Sequence, residues 1–186
     1  MNLMEQFQAL VAQVPELVQP LIVALAGAVP FIEGEGAATI GIIGGINPVV
    51  AAIAAIVGNF VCVAVLVLLS ARARRAVVAR SRARRLVNAD GTIAAEDASA
   101  AGALVDPHES DRKAARRVKF QRSFERYGVP GVSLLGPLLL PTQFTATMLA
   151  GAGVGTARIL FWQGVAIVGW TTLLTLIITG VLTVVP

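Results

Sequence analysis

Cysteine, histidine, aromatic residues and charge are all scarce in this chain, and each shortage excludes something. A single cysteine, Cys62, rules out an intramolecular disulfide. It sits in the apolar stretch GNFVCVAVLVLLS, where it reads as a small packing residue. A single histidine, His108, has no second His or Cys to share a metal and reads as a solvated residue. No Ser-His-Asp set, metal motif or phosphate loop is present, and the GAGVG at 151–155 has no preceding strand to make it a dinucleotide loop. No enzyme activity, metal or cofactor is therefore expected. Aromatic residues make up 5% of the chain and do not stud its basic stretches, so the formal net charge of +4 is not read as a nucleic-acid surface. Charged residues amount to 14%, against about a quarter in ordinary globular chains. That leaves too little polar surface for a water-soluble fold.

What fills the chain instead is apolar: 56% hydrophobic residues and a mean hydropathy of +0.77. An all-α membrane protein is expected. Residues 1–14 place Leu3, Phe7, Leu10, Val11 and Val14 on one helical face, the pattern of a helix lying at a membrane surface. The beginning lacks a basic n-region and carries Glu5 instead, so insertion is expected to depend on internal apolar segments. Residues 15–47 are apolar but too interrupted for a clean crossing, which takes about 20 residues. They break at Pro30 and at EGEG, residues 33–36. Two short apolar arms around such an elbow read as a re-entrant hairpin, whose exposed backbone survives only where protein or trapped water satisfies it. Residues 48–70 form an uncharged span, followed at once by Arg72, Arg74, Arg75, Arg80, Arg82, Arg84 and Arg85, which mark that end as cytoplasmic.

Every Lys and Arg except Arg158 lies between Arg72 and Arg126, so 71–126 reads as a basic cytoplasmic loop with helical ends and a polar linker at 88–111. Residues 127–155 are again apolar but cut by Pro130, Gly136-Pro137 and Pro141, a second re-entrant hairpin with its elbow near Pro141. A second span covers 157–184. Following the chain across the membrane, the first hairpin enters from outside and the second from the cytosol. Each half is thus a hairpin plus one span in opposite orientation, the inverted-repeat logic of many transporters.

The chain also resembles a known group. PFIEGEGAATIGI resembles the signature of the small multidrug export family, and FERYGVPGVSLLGPLLLPTQFTATMLAGAGV resembles the second-half motif of the related DedA (VTT-domain) superfamily. The resemblance covers residues 16–70 and 120–184. It implies opposed re-entrant hairpins in the bacterial inner membrane, membrane lipids as surroundings, and proton-coupled translocation of a lipid or small amphipathic solute. Glu33 falls on the acidic position of the first elbow, Gly36 and Ala37 on its small pair, and Pro141 on the proline of the second. Glu35 and Thr39 stand where the smaller family carries Arg and Pro. Gly136, Thr142 and Gln143 stand where DedA transporters carry arginines, so the second elbow lacks a bidentate phosphate donor. A proton or cation partner is unaffected by that change.

Glu33 and Glu35 are the residues that most need an explanation. A carboxylate inside a membrane segment costs on the order of 2.5–3.5 kcal/mol on insertion scales and commonly marks a proton or ion path. Two dehydrated carboxylates so close do not both ionise, so one is expected to hold a proton at neutral pH. The competing reading places both in the outer headgroup layer, simply hydrated. The expected pathway residues are Glu33, Glu35, Thr39, Pro141, Thr142 and Gln143. The expected membrane-surface contacts are Arg72, Arg74, Arg75, Arg126 and Arg158. Asn59 reads as an interhelical hydrogen-bonding residue, and the Gly41/Gly45 and Gly151/Gly155 sets as sites of close helix approach. Two spans shield little polar backbone, so a homo-oligomer is expected. The alternative function is a non-transporting scaffold that acts through the basic loop.

Overall fold

The computed structural model describes residues 3–87 and 128–184. The expected linker at 88–111, His108 and the second basic stretch with Arg126 lie outside the described residues. The fold is all-helical there, with no strand among the described residues. Its elements are α1 (Leu3–Gln13), α2 (Gln19–Gly27), α3 (Glu33–Ile43), α4 (Pro48–Val87), α5 (128–135) with a 3₁₀ turn at Gly136–Leu138, α6 (Thr142–Gly151) and α7 (Thr156–Val184). Pro48–Arg80 and Thr156–Val184 are the two described helices long and apolar enough to cross a membrane.

Local chemistry sets where the helices begin and end. Pro20 occupies the first turn of α2, where its fixed φ and missing N–H do no harm. The Asn47 side chain accepts the Val49 N–H at 2.9 Å and caps α4, with Pro48 as its first residue. The two short helices α3 and α6 finish identically. In α3 the Gly45 N–H donates to Ile42 and the Ile46 N–H to Gly41, with Gly45 at φ +86. In α6 the Gly153 N–H donates to Ala150 and the Val154 N–H to Leu149, with Gly153 at φ +89. Both are Schellman caps, whose left-handed residue suits glycine. A four-residue link then leads into a long helix in each case, 44–47 into α4 and 152–155 into α7.

α4 is the hub, packed by α2, α3, α6 and α7. It buries one stripe with a spacing of four: Ala51, Ala55, Asn59, Val63 and Val67. Its other faces leave Val49, Ile53, Val57, Val61 and Val65 exposed, the surface an apolar solvent would cover. α7 runs antiparallel to α4. Gly164 lies against the Phe60 ring, and Ile178 packs on the cluster that holds Ala51 and Ala55.

Two apolar clusters result. One joins α1, α2 and α3 to the first third of α4, around Val11, Val23, Ala37 and Ile40. The other joins Val63 and Val67 to α5, α6 and α7, around Val132, Leu149 and Ile159. Asn59 falls between them on the α4 stripe. α1 contributes Val11 to the first cluster, with Phe7 and Val14 packed alongside, while Leu3 and Leu10 remain exposed. Its apolar face is therefore divided between the protein and the surroundings.

Glycines let the backbones of α2 and α4 approach closely. A Cβ at Gly27 would stand 2.7 Å from the Ala55 carbonyl oxygen, and one at Gly58 would fall on the Ala24 carbonyl. Of the glycine sets noted in the sequence only Gly41 is crowded, by Ala51 and Val23, whereas Gly45, Gly151 and Gly155 face open space. The expectation that both sets bring helices together is corrected accordingly: Gly45 serves as a helix cap, and Gly151 and Gly155 meet no neighbour.

Candidate functional site

Six polar side chains are buried where the short helices meet α4 and α7: Glu33, Asn59, Thr142, Gln143, Gln163 and Thr171, with Gln163 between Ile159 and Ile167 of the second apolar cluster. They come from four elements, and backbone geometry brings them together. The turn from α2 to α3 passes through two non-glycine residues in the left-handed region, Phe31 at φ 72 and Glu33 at φ 54. Each such conformation costs on the order of 1–3 kcal/mol and persists only where surrounding contacts hold it. The turn is held on both sides. The Cys62 thiol donates to the Ala28 carbonyl at 3.3 Å, and Gly34 lies so close to α7 that any Cβ there would strike the Thr171 hydroxyl.

That turn aims the start of α3 at the start of α6. The Thr142 backbone N–H donates to the Glu33 carboxylate across 109 positions of sequence. α6 needs this partner, because its N-cap is Pro141, which has no side chain to accept a hydrogen bond. Glu33 is 7% exposed and supplies a carboxylate where the partial positive charge of the helix end concentrates. Next to Thr142, the Gln143 amide nitrogen donates to the Asn59 side-chain oxygen at 3.3 Å and ties α6 to α4.

Glu33 and Glu35 also line one side of a cleft of about 360 Å³ with Phe31, Ile32 and Gly36; Pro137, Leu138, Trp170 and Leu174 form the other side. The Trp170 indole N–H donates to the Leu134 carbonyl at 2.9 Å, which fixes the wall of the cleft to α5. Phe31 meets Phe144 with ring centroids 6.3 Å apart at its edge. The cleft is thus apolar and aromatic around two carboxylates, one buried and one half-buried.

The other expected pathway residues take distinct places. Thr142 and Gln143 are among the buried polar side chains, and Pro141 is the half-buried residue that opens α6. Thr39 does not line the cleft: its hydroxyl donates to the Glu35 carbonyl one turn back, at 2.8 Å. The basic residues lie at the far end of α4 from Pro48. Arg72, Arg74, Arg75 and Arg158 are exposed. The Arg75 side chain bonds back to the Ala71 carbonyl at 3.3 Å, and the Arg74 guanidinium lies against Gly153 at the α6 C-terminus, where helix carbonyls favour a cation. That contact places the start of α7 beside the arginine-bearing end of α4.

Gln163 and Thr171 were not among the sequence candidates. Gln163 is fully buried, and neither atom of its amide finds a hydrogen-bond partner among the described residues. The available signal was a lone amide in the apolar stretch ILFWQGVAIVGW. No protein family, curated protein or solved structure matches this chain.

Proposed function

We propose that the chain is a membrane transporter of DedA-like type, coupling proton movement to translocation of a small amphipathic solute. The α2–α3 and α5–α6 pairs are its two re-entrant hairpins, arranged as an inverted repeat. Support for the repeat comes from the matching glycine caps and four-residue links that join α3 to α4 and α6 to α7. Support for the depth comes from Asn59, which is eleven residues into α4 and so about 16 Å from Pro48, near the middle of a hydrocarbon layer about 30 Å thick. The first elbow meets α4 at Cys62, a turn further on.

The single observation that carries the reading is the Glu33 carboxylate, buried at the meeting point of the two elbows and bordering the cleft that Glu35 shares. A carboxylate in that position can hold or release a proton as a solute occupies or leaves the cleft. The residues lining the cleft favour a cationic amphiphile over an anionic lipid headgroup. Two carboxylates repel phosphate, Phe31 and Trp170 offer aromatic faces to a cation, and Glu33 already takes up the foremost donor of the α6 terminus. The exposed apolar faces of α4 and α7 leave room for lipid and for a second copy of the chain, in keeping with a homo-oligomer.

The deciding experiment is flux in sealed proteoliposomes under an imposed pH gradient, following internal pH together with a labelled lipid and a fluorescent lipophilic cation. Wild type is expected to carry protons with the cation, and the Glu33→Gln/Glu35→Gln protein is expected to carry neither. Flux that survives in the double variant would remove the carboxylates from the pathway. A wild type that moves nothing, together with loss of biological activity on deletion of residues 88–111, would favour the scaffold reading.

A further inference from the structure

The buried polar side chains contain more hydrogen-bonding capacity than the protein itself uses. Gln163 offers two amide donors and a carbonyl acceptor, and all are unpartnered among the described residues, as is the Gln143 side-chain oxygen. Gln163 is 0% exposed, so neither solvent at the protein surface nor a second copy of the chain can satisfy it. Buried amides of this kind are paired in folded proteins, by protein groups, ordered water or an ion.

Register places these groups at one level. Gly164 packs on Phe60, which brings the adjacent Gln163 level with Asn59, and Asn59 is hydrogen-bonded to Gln143. Gln143 follows Thr142, the donor to Glu33. The three amides thus lie near one level on α4, α6 and α7, with Gln143 next in sequence to the residue that bonds the Glu33 carboxylate. That level belongs to the α7 segment nearer the arginine-bearing end, since Gln163 is five residues, about 7.5 Å, from Arg158.

We propose that Asn59, Gln143 and Gln163 enclose an internal water site, and that this water exchanges protons with Glu33 on the side facing away from the cleft. The mixture of unpartnered groups identifies the occupant. A bare metal cation binds oxygen atoms alone and leaves the Gln163 donors unsatisfied, whereas water both donates and accepts and needs two to four polar partners. The transfer is balanced by proton exchange alone: a protonated Glu33 gives its proton to a site water and becomes a carboxylate, and that water, now a hydronium, passes a proton on and returns to neutral. The water site stands on the amides by themselves, while its role as a relay rests on the transporter reading above.

X-ray hydroxyl-radical footprinting of the protein in lipid nanodiscs tests the site without any transport assay, because radicals form from water where it resides. Ile159 and Ile167 flank Gln163 by one turn on either side and are both buried; Ile40 and Val23 are equally buried in the other apolar cluster. The expected result is oxidation of Ile159 and Ile167 several times faster than Ile40 and Val23, falling to the control rate in Gln163→Leu and in Gln163→Met. Equal rates in wild type would overturn the site. In the flux assay, Gln163→Leu is expected to slow proton entry about tenfold, equivalent to about 1.4 kcal/mol of barrier, while Cys62 keeps its wild-type protection from thiol reagents. Normal flux in a variant that has lost the footprint would overturn the relay. Absence of flux in wild type would remove relay and transporter reading together, and the footprint alone would still decide the water site.

Discussion

Replacing Glu33 by alanine and by glutamine separates what the carboxyl group holds together from what its proton does. In the wild type the Glu33 side chain is the acceptor for the Thr142 N–H, and Thr142 is 2% exposed, so no water replaces a lost partner at that amide. Glu33→Ala leaves this donor unsatisfied, at a cost of about 1–3 kcal/mol. The negative charge at the end of α6 is removed as well, a change that Glu33→Gln shares. The loss specific to alanine is therefore about 1–3 kcal/mol, or roughly 2–12 °C in melting midpoint by the scaling for chains of this length. Glu33→Gln removes the same charge but keeps an oxygen acceptor in the same place, so its stability should stay within about 1 kcal/mol of wild type. The assay is built into the chain. Cys62 is the single thiol, and it bonds to the Ala28 carbonyl at the very turn that Glu33 anchors. Its labelling by a thiol-reactive dye on heating reports opening of that turn. An alanine variant that melts with the glutamine variant would refute the idea that the carboxyl group caps α6.

Three further expectations use the same melting assay. Gly58→Ala drives a methyl group into the Ala24 backbone carbonyl and should destabilise by about 1–3 kcal/mol, whereas Gly169→Ala, which meets nothing within 4 Å, should be neutral or slightly stabilising. Phe31→Gly relieves a left-handed backbone at the same time as it loses the Phe144 ring contact, so it should be more stable than Phe31→Ala by about 1 kcal/mol, the reverse of the usual order in helices. Asn59→Leu and Gln143→Leu should be coupled in a double-mutant cycle by about 0.6 kcal/mol, as for interhelical hydrogen bonds in membranes; strictly additive effects would show that the 3.3 Å bond contributes nothing.

The parts of this molecule that the sequence discloses are those that depend on neighbours along the chain. Long uncharged runs of Val, Leu, Ile and Ala make α4 and α7 evident, because hydropathy summed over a span does not depend on what packs beside it. The turns at 28–32 and 136–141 coincide with proline and glycine for reasons of local backbone geometry. Contacts across the fold obey no such local rule. Gly41/Gly45 and Gly151/Gly155 have the right spacing for close packing, yet only Gly41 is crowded, because register decides which glycine meets a neighbour. Thr39 has a hydroxyl of the right kind beside the acids, but its own helix offers a carbonyl at 2.8 Å and takes it.

Gln163 is hidden in the sequence for the opposite reason: one amide in a long apolar run scarcely alters the average hydropathy, and only its burial and missing partners among the described residues together set it apart. Glu33 could be singled out as a charge in the wrong place, but sequence could not supply its partner. No lysine or arginine stands in either elbow, and a backbone N–H at the end of α6 partners the carboxylate instead. That substitution has a consequence for mechanism. An arginine would keep its charge and hold the carboxylate ionised. A single amide donor carries no full charge, so the hold of Glu33 on a proton depends on the hydrogen bond that Thr142 makes to it. In the transport cycle proposed above, movement of α2–α3 against α5–α6 would load or release that proton.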